Sequence, residues 1–194
     1  MNLPLYLTAS RLVFAPIFFV LFFVPEWTGA LYVETTVLLW VVMIIIEITD
    51  AADGALARSL NQVTDLGKLL DPFSDVISRL TFFICFTVAG IMPAWVLIII
   101  FYREYGIVFL RMIMYRDGTA LAARKGGKLK AVFYFLSGIA GMLVVTIERT
   151  GVMEALRVPV RTGAVVVFIV SAVLCLVSFV DYLSVFRTSR HGSS

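Results

Sequence analysis

Four aspartates, Asp50, Asp53, Asp71 and Asp75, stand close together in a chain that is otherwise strongly apolar. The first pair sits in the run DAADGALAR and the second in GKLLDPFSD. Spacings of three and four residues put each pair on one face of a helix, so two helix ends can bring all four carboxylates to one place. Carboxylates gathered in this way repel one another and take up protons unless a cation sits among them. Oxygen ligands suit hard divalent ions, Mg²⁺, Mn²⁺ or Ca²⁺, and with no His or Cys nearby zinc is not indicated. Two such ions about 3.5–4 Å apart are a recurrent means of clamping a phosphoryl group and stabilising both its attacking and its leaving oxygen. One aspartate near a membrane boundary is an ordinary solvated residue. Four at helical spacing indicate a site, because acids at membrane depth are costly and usually functional. Between the pairs, Gly54 and Gly67 permit tight turns or close backbone approach, and ALAR favours a short connecting helix.

The elements that must position these residues follow from composition. The chain has 194 residues, of which 61% are hydrophobic and only 15% charged, and its mean hydropathy is +0.99. A soluble domain carries about 25% charged residues, so the expectation is an all-α integral membrane protein, one domain over residues 1–194. Six stretches approach the roughly 20 apolar residues that a spanning helix needs: residues 5–24, 30–50, 73–92, 94–115, 131–147 and 163–186. The first loop holds only Glu26 and Glu34, whereas the connection after the fourth stretch holds Arg116, Arg124, Lys125, Lys128 and Lys130. The excess of cations puts that connection in the cytoplasm. Six spans then leave both termini cytoplasmic in a multi-pass protein of the inner (cytoplasmic) membrane, and all four aspartates at the cytoplasmic ends of helices 2 and 3. Residues 148–161 argue the other way with Arg149, Arg157 and Arg161, which Glu148 and Glu154 partly offset. The N-terminus lacks a basic start and Arg11 interrupts its apolar run, so the first helix is expected to be retained, with Arg11 at headgroup depth. A dispersed net charge of +3 does not suggest nucleic acid. Cys85 and Cys175 lie in apolar runs and read as small hydrophobes, while Trp27 and Trp95 fit an outer interfacial belt.

The order Asp50-Ala-Ala-Asp53-Gly54-Ala-Leu-Ala57-Arg58, eight residues, Gly67, three residues, Asp71, three residues, Asp75 resembles the full signature of the CDP-alcohol phosphatidyltransferases. That resemblance implies a six-helix membrane enzyme, typically a homodimer, which moves a phosphatidyl group from CDP-diacylglycerol to an alcohol and releases CMP. It also implies roles. Asp50, Asp53, Asp71 and Asp75 would hold two divalent cations, Mg²⁺ or Mn²⁺, with Asp75 also the general base on the acceptor hydroxyl. Asp50, Asp53, Gly54, Ala57, Arg58 and Gly67 would line the donor site, the small residues admitting the nucleotide and Arg58 meeting its phosphates. A guanidinium suits phosphate through its planar fork.

The segments NLPLYLTASRLVFAPIF, YREYGIVFLRMIM and GGKLK are similar to the phosphatidylglycerophosphate synthase branch, which implies sn-glycerol 3-phosphate as acceptor. A phosphorylated acceptor needs cations, and Arg103, Arg111, Lys128, Lys130 and Arg79 are the candidates. Arg103 lies about 12 Å deeper than Arg111 at 1.5 Å per residue, so it is expected to pair inside the bundle with Glu47 or Glu104. Lys125, Lys128 and Lys130 read equally as a basic loop touching anionic lipid, and Glu47, one turn before Asp50, either as a support behind the metal ligands or as the partner of an arginine. That branch usually has a Lys or Arg directly after its last aspartate, where this chain has Val76, so inositol phosphate, serine and other polyol phosphates stay open as acceptors. A divalent-cation transporter would also gather carboxylates in a membrane, but these sit at one face with no acidic path continuing outward along the third span.

Overall fold

In the computed structural model, which describes residues 3–59, 65–116 and 125–191, the described chain forms six α-helices and one short 3₁₀ turn. The helices are α1 (Leu3–Thr28), α2 (Tyr32–Ser59), α3 (Asp65–Val88), α4 (Ala94–Arg116), α5 (Lys125–Thr150) and α6 (Arg157–His191), with the 3₁₀ turn at Glu154–Leu156. Each predicted span falls within one helix apart from a few residues at its ends, and most of the helices overrun the apolar stretch. Among the described residues, four segments are long and apolar enough to cross a membrane: Pro4–Thr28, Tyr32–Ala52, Leu129–Thr150 and Glu154–Ser184. The other two helices carry ionic groups in their apolar runs, Asp71, Asp75 and Arg79 in α3, Arg103 and Glu104 in α4.

One expectation about the acidic stretch is corrected. Gly54 makes no turn and ALAR no separate connecting helix, since α2 runs unbroken through both to Ser59. Gly67 likewise lies within the first turn of α3. The alanines, Leu56 and Arg58 are strong helix formers, and together they outweigh the cost of about 1 kcal/mol for one glycine in a helix.

α2 runs antiparallel to both α1 and α3, because Arg11 near the start of α1 meets both Asp50 toward the end of α2 and Asp71 near the start of α3. α1 packs on α2 and α3, α5 on α6, α2 and α3, and α4 on α6 and α3. The inward line of α1 is Thr8, Arg11, Ala15, Phe18 and Phe22, alternating steps of three and four residues. Phe18 meets Phe82 of α3 with ring centroids 4.4 Å apart, and Phe86 stacks on Phe168 of α6 at 6.4 Å. Gly141 makes that core possible, for a Cβ there would overlap the Phe86 ring. In a bundle of apolar helices such close approach supplies the van der Waals contact that drives association.

The end away from the aspartates is closed by tight turns. Gly90 has φ +69° and donates to the Thr87 carbonyl at 3.0 Å while Ile91 donates to the Phe86 carbonyl at 2.8 Å. This is a Schellman cap, which needs a residue without a Cβ at the left-handed position. Arg161 binds the Gly90 carbonyl at 2.7 Å and also Glu148. Arg157 pairs with Glu154 at 3.1 Å, and Arg149 donates to the Phe22 carbonyl at 2.6 Å. The cations that argued against the assigned orientation are thus engaged within the protein.

Candidate active site

The site is built from the inward lines of three helices. Asp50 lies toward the end of α2, Asp71, Asp75 and Arg79 occupy successive turns of α3, and Arg11 projects from α1. Arg11 pairs with Asp50 through one guanidinium nitrogen and donates to Asp71 from the other at 2.6 Å. Arg79 donates from Nε to Asp75 and from its terminal nitrogen to Asp50 at 3.3 Å. Asp50 is therefore shared between two guanidinium groups, and three carboxylates from two helices lie around a single pair of cations.

Arg11, which the sequence does not single out as a site residue, faces into the bundle and joins the two aspartates. It is 1% exposed, held inward because its helix line is the one that carries the core phenylalanines. A cation on the same three-four stripe as Ala15, Phe18 and Phe22 was the available signal. Asp71 is 51% exposed and Asp50 29%, so the cluster opens outward on the Asp71 side. Asp53 lies on α2 three residues after Asp50, but its side chain, like those of Gly54, Ala57, Arg58, Arg111 and Lys128, falls outside the described residues. Among the described residues, no three carboxylate, His or Cys side chains are grouped closely enough to hold an ion. Three carboxylates nonetheless face only two guanidinium groups, and Glu47, half-buried within electrostatic range of Arg79, adds another acid to the same region. Excess negative charge of this kind is what a divalent cation offsets.

A second buried cluster lies beside the first. Arg103 is 5% and Glu104 6% exposed, joined at 2.9 Å and 3.0 Å through both carboxylate oxygens. Of the two partners expected for Arg103, the structure selects Glu104; Glu47 forms no ion pair among the described residues. Arg103 also reaches Ser178 of α6 at 2.9 Å. Lys130 is buried rather than part of a lipid-facing loop, with its ammonium 2.7 Å from Glu104. Tyr134 donates to the same Glu104 oxygen at 2.7 Å and lies 2.6 Å from the Cys175 sulfur, so Cys175 is more than apolar filling. Glu104, Tyr134 and Ser178 were not named from the sequence as site residues, since a buried network is invisible until the helices are placed.

Val76 packs in the hydrophobic core at 7% exposure. Arg79, one turn beyond Asp75, is the α3 cation that lies in the carboxylate cluster.

A family model described as CDP-alcohol phosphatidyltransferase matches residues 1–180. A CDP-diacylglycerol–glycerol-3-phosphate 3-phosphatidyltransferase of Treponema pallidum is 32% identical over 200 residues, 96% of this chain and 89% of its own length. A protein of Mycobacterium tuberculosis named as a probable phosphatidylglycerophosphate synthase is 32% identical over 184 residues, 94% of this chain and 80% of its own. A CDP-diacylglycerol–glycerol-3-phosphate 3-phosphatidyltransferase of Aquifex aeolicus is 33% identical over 189 residues, 94% of each chain. Matched over nearly its whole length both by the family model and by such relatives, the chain belongs to the CDP-alcohol phosphatidyltransferase family.

Proposed function

We propose that this enzyme transfers the phosphatidyl group of CDP-diacylglycerol to sn-glycerol 3-phosphate and releases CMP, a step of phospholipid synthesis. The observation that carries the reading is the convergence of Asp50, Asp71 and Asp75 on Arg11 and Arg79, in a chain whose relatives are named for that reaction. The acceptor hydroxyl attacks the β-phosphorus, a new P–O bond forms, and the bond to the bridging oxygen breaks with its electron pair leaving on CMP. Asp75 takes the hydroxyl proton, and Arg79 holds its carboxylate in place. Asp50, Asp53, Asp71 and Asp75 would hold two divalent cations, Mg²⁺ or Mn²⁺, which when bound neutralise the diphosphate and the developing charge on the leaving group. Gly54, Ala57 and Gly67 leave room for the nucleotide, and Arg58 meets the donor phosphates. Lys130 and Arg103, with Arg111 and Lys128, supply the cationic side toward the acceptor's phosphate.

In this reading all six helices span the inner membrane as one domain, as a homodimer, with both termini and the site on the cytoplasmic side. Glycerol 3-phosphate is favoured by the names of the relatives; Val76, where that branch has a cation, is buried in the core, and Arg79 one turn beyond Asp75 provides a cation within the cluster. Purified protein given CDP-diacylglycerol, Mg²⁺ and a panel of acceptors should release CMP fastest with glycerol 3-phosphate. No CMP with any acceptor would refute the reading, and faster release with inositol phosphate or serine would move it to that acceptor.

A further inference from the structure

We infer that Tyr134 is a positioning residue for the transfer, one aromatic wall shared by the arginine that holds the base and the lysine that faces the acceptor. The inference rests on the reaction proposed above and adds a residue that neither the signature nor charge patterning singles out. The Tyr134 ring is the geometric link between the aspartate cluster and the buried Glu104 cluster. Arg79, which binds Asp75 and Asp50, has its guanidinium carbon 5.8 Å from the ring centroid. Lys130 has its ammonium 4.5 Å from the same centroid. The ring is itself fixed edge-on by Phe83 of α3, centroid to centroid 5.6 Å, and is 3% exposed.

The hydroxyl anchors the other end. It donates to Glu104, which also receives Lys130 and Arg103, and it meets Cys175 of α6. One side chain on α5 therefore connects α3, α4 and α6 at the depth of the site. A cation on an aromatic face is held by the ring's quadrupole more strongly where water is excluded. A buried ionic network is rigid only while each member keeps its partners. Ring and hydroxyl thus have separable tasks. The ring orients Arg79 and through it Asp75, which governs turnover, and the hydroxyl holds the Glu104 carboxylate that sets where Lys130 stands, which governs acceptor binding.

Two substitutions separate the tasks. Tyr134→Leu removes ring and hydroxyl and should lower kcat about tenfold or more, the size expected for a desolvated cation–π contact. Tyr134→Phe restores the ring and should bring kcat back to within about threefold, while the KM for glycerol 3-phosphate stays raised about five- to tenfold, the size of one lost hydrogen bond. The KM for CDP-diacylglycerol should be unchanged in both. A merely structural tyrosine would instead lower the yield of monodisperse protein and shift both KM values together. The inference is overturned if Tyr134→Leu keeps wild-type kcat, or if Tyr134→Phe raises both KM values equally. Should Tyr134→Leu not fold, the split between the two KM values in Tyr134→Phe decides alone. Absence of CMP release by the wild-type enzyme with every acceptor would remove the parent reading and this one with it, whereas an active wild type with variants that match it removes only this one.

Discussion

Replacing Asp75 with asparagine keeps the side chain's shape and removes the charge that Arg79 faces. A general base contributes about 10²–10⁴-fold to a rate, so Asp75→Asn should cut CMP release by that order in a protein that still folds, with a lowered thermal midpoint because the largely buried Arg79 loses its nearer carboxylate; retained turnover would rule Asp75 out as the base. Arg11 poses the opposite problem, because its loss leaves Asp50 and Asp71 without the guanidinium that joins them. Arg11 is buried but Asp50 and Asp71 are 29% and 51% exposed, so the loss is smaller than the about 3–5 kcal/mol of a fully buried pair. Arg11→Gln should accordingly lower the unfolding midpoint in chelator, and excess Mg²⁺ should recover part of the loss by neutralising the freed carboxylates. An unfolding midpoint equal to wild type in chelator would show that Arg11 is not a structural link.

Helices in this bundle are held at distances set by their smallest residues. Gly141 of α5 is in contact with Phe86 of α3, and Gly106 of α4 faces Phe179 of α6, where an added Cβ would lie 2.9 Å from the ring. Overpacking a filled interior costs about 1–3 kcal/mol, so Gly141→Ala should lower thermal stability by that amount and Phe86→Leu in the same chain should return part of it. If Gly141→Ala is as stable as wild type, α3 and α5 are not in the close contact described. Orientation belongs to the same scale. Glu154 lies in the exposed turn between α5 and α6, at the end opposite the aspartates, and both native cysteines are buried. A cysteine introduced at Glu154 should react with an impermeant maleimide added to intact cells, and one introduced at Asp71 only after the membrane is opened; the reverse pattern would invert the proposed topology.

Across the whole molecule, the end of the bundle near the signature holds two ionic clusters, that of the aspartates open on the Asp71 side and that of Glu104 buried, and arginine contacts close the other end. Each cluster costs desolvation that its own contacts only partly return, so a ligand that completes the charge balance should stabilise the fold. Ions bound at about 100 times their dissociation constant add about 2.7 kcal/mol. Mg²⁺ or Mn²⁺ should raise the unfolding midpoint of the wild type, chelation should abolish CMP release reversibly, and Asp50→Asn should show a smaller shift. A wild-type midpoint indifferent to both ions would count against the two-metal cradle.

Much of this architecture could be read from the chain alone. Long apolar runs required helices at six places, four of which among the described residues are long and apolar enough to cross a membrane, and three- and four-residue spacing put Asp50 and Asp53, and Asp71 and Asp75, on shared helix faces; both are consequences of local geometry and of the cost of apolar surface in water. The fate of Arg11, Glu104, Lys130 and Tyr134 could not be read in the same way. Whether a lone cation in an apolar helix reaches outward to lipid or inward to a carboxylate depends on which helix face meets its neighbours. Arg103 has Glu104 beside it on α4, while the packing of α4 against α6 brings Ser178 to it and Glu47 stays near Arg79. Charge type and helical period are properties of the sequence, whereas pairing at 2.6–3.3 Å between residues up to 75 positions apart is a property of the assembled bundle. Arg79–Asp75 and Arg103–Glu104 are within reach along a single helix, but the distances that join Arg11 to Asp50 and Asp71, or Lys130 to Glu104, arise only when the helices close on one another.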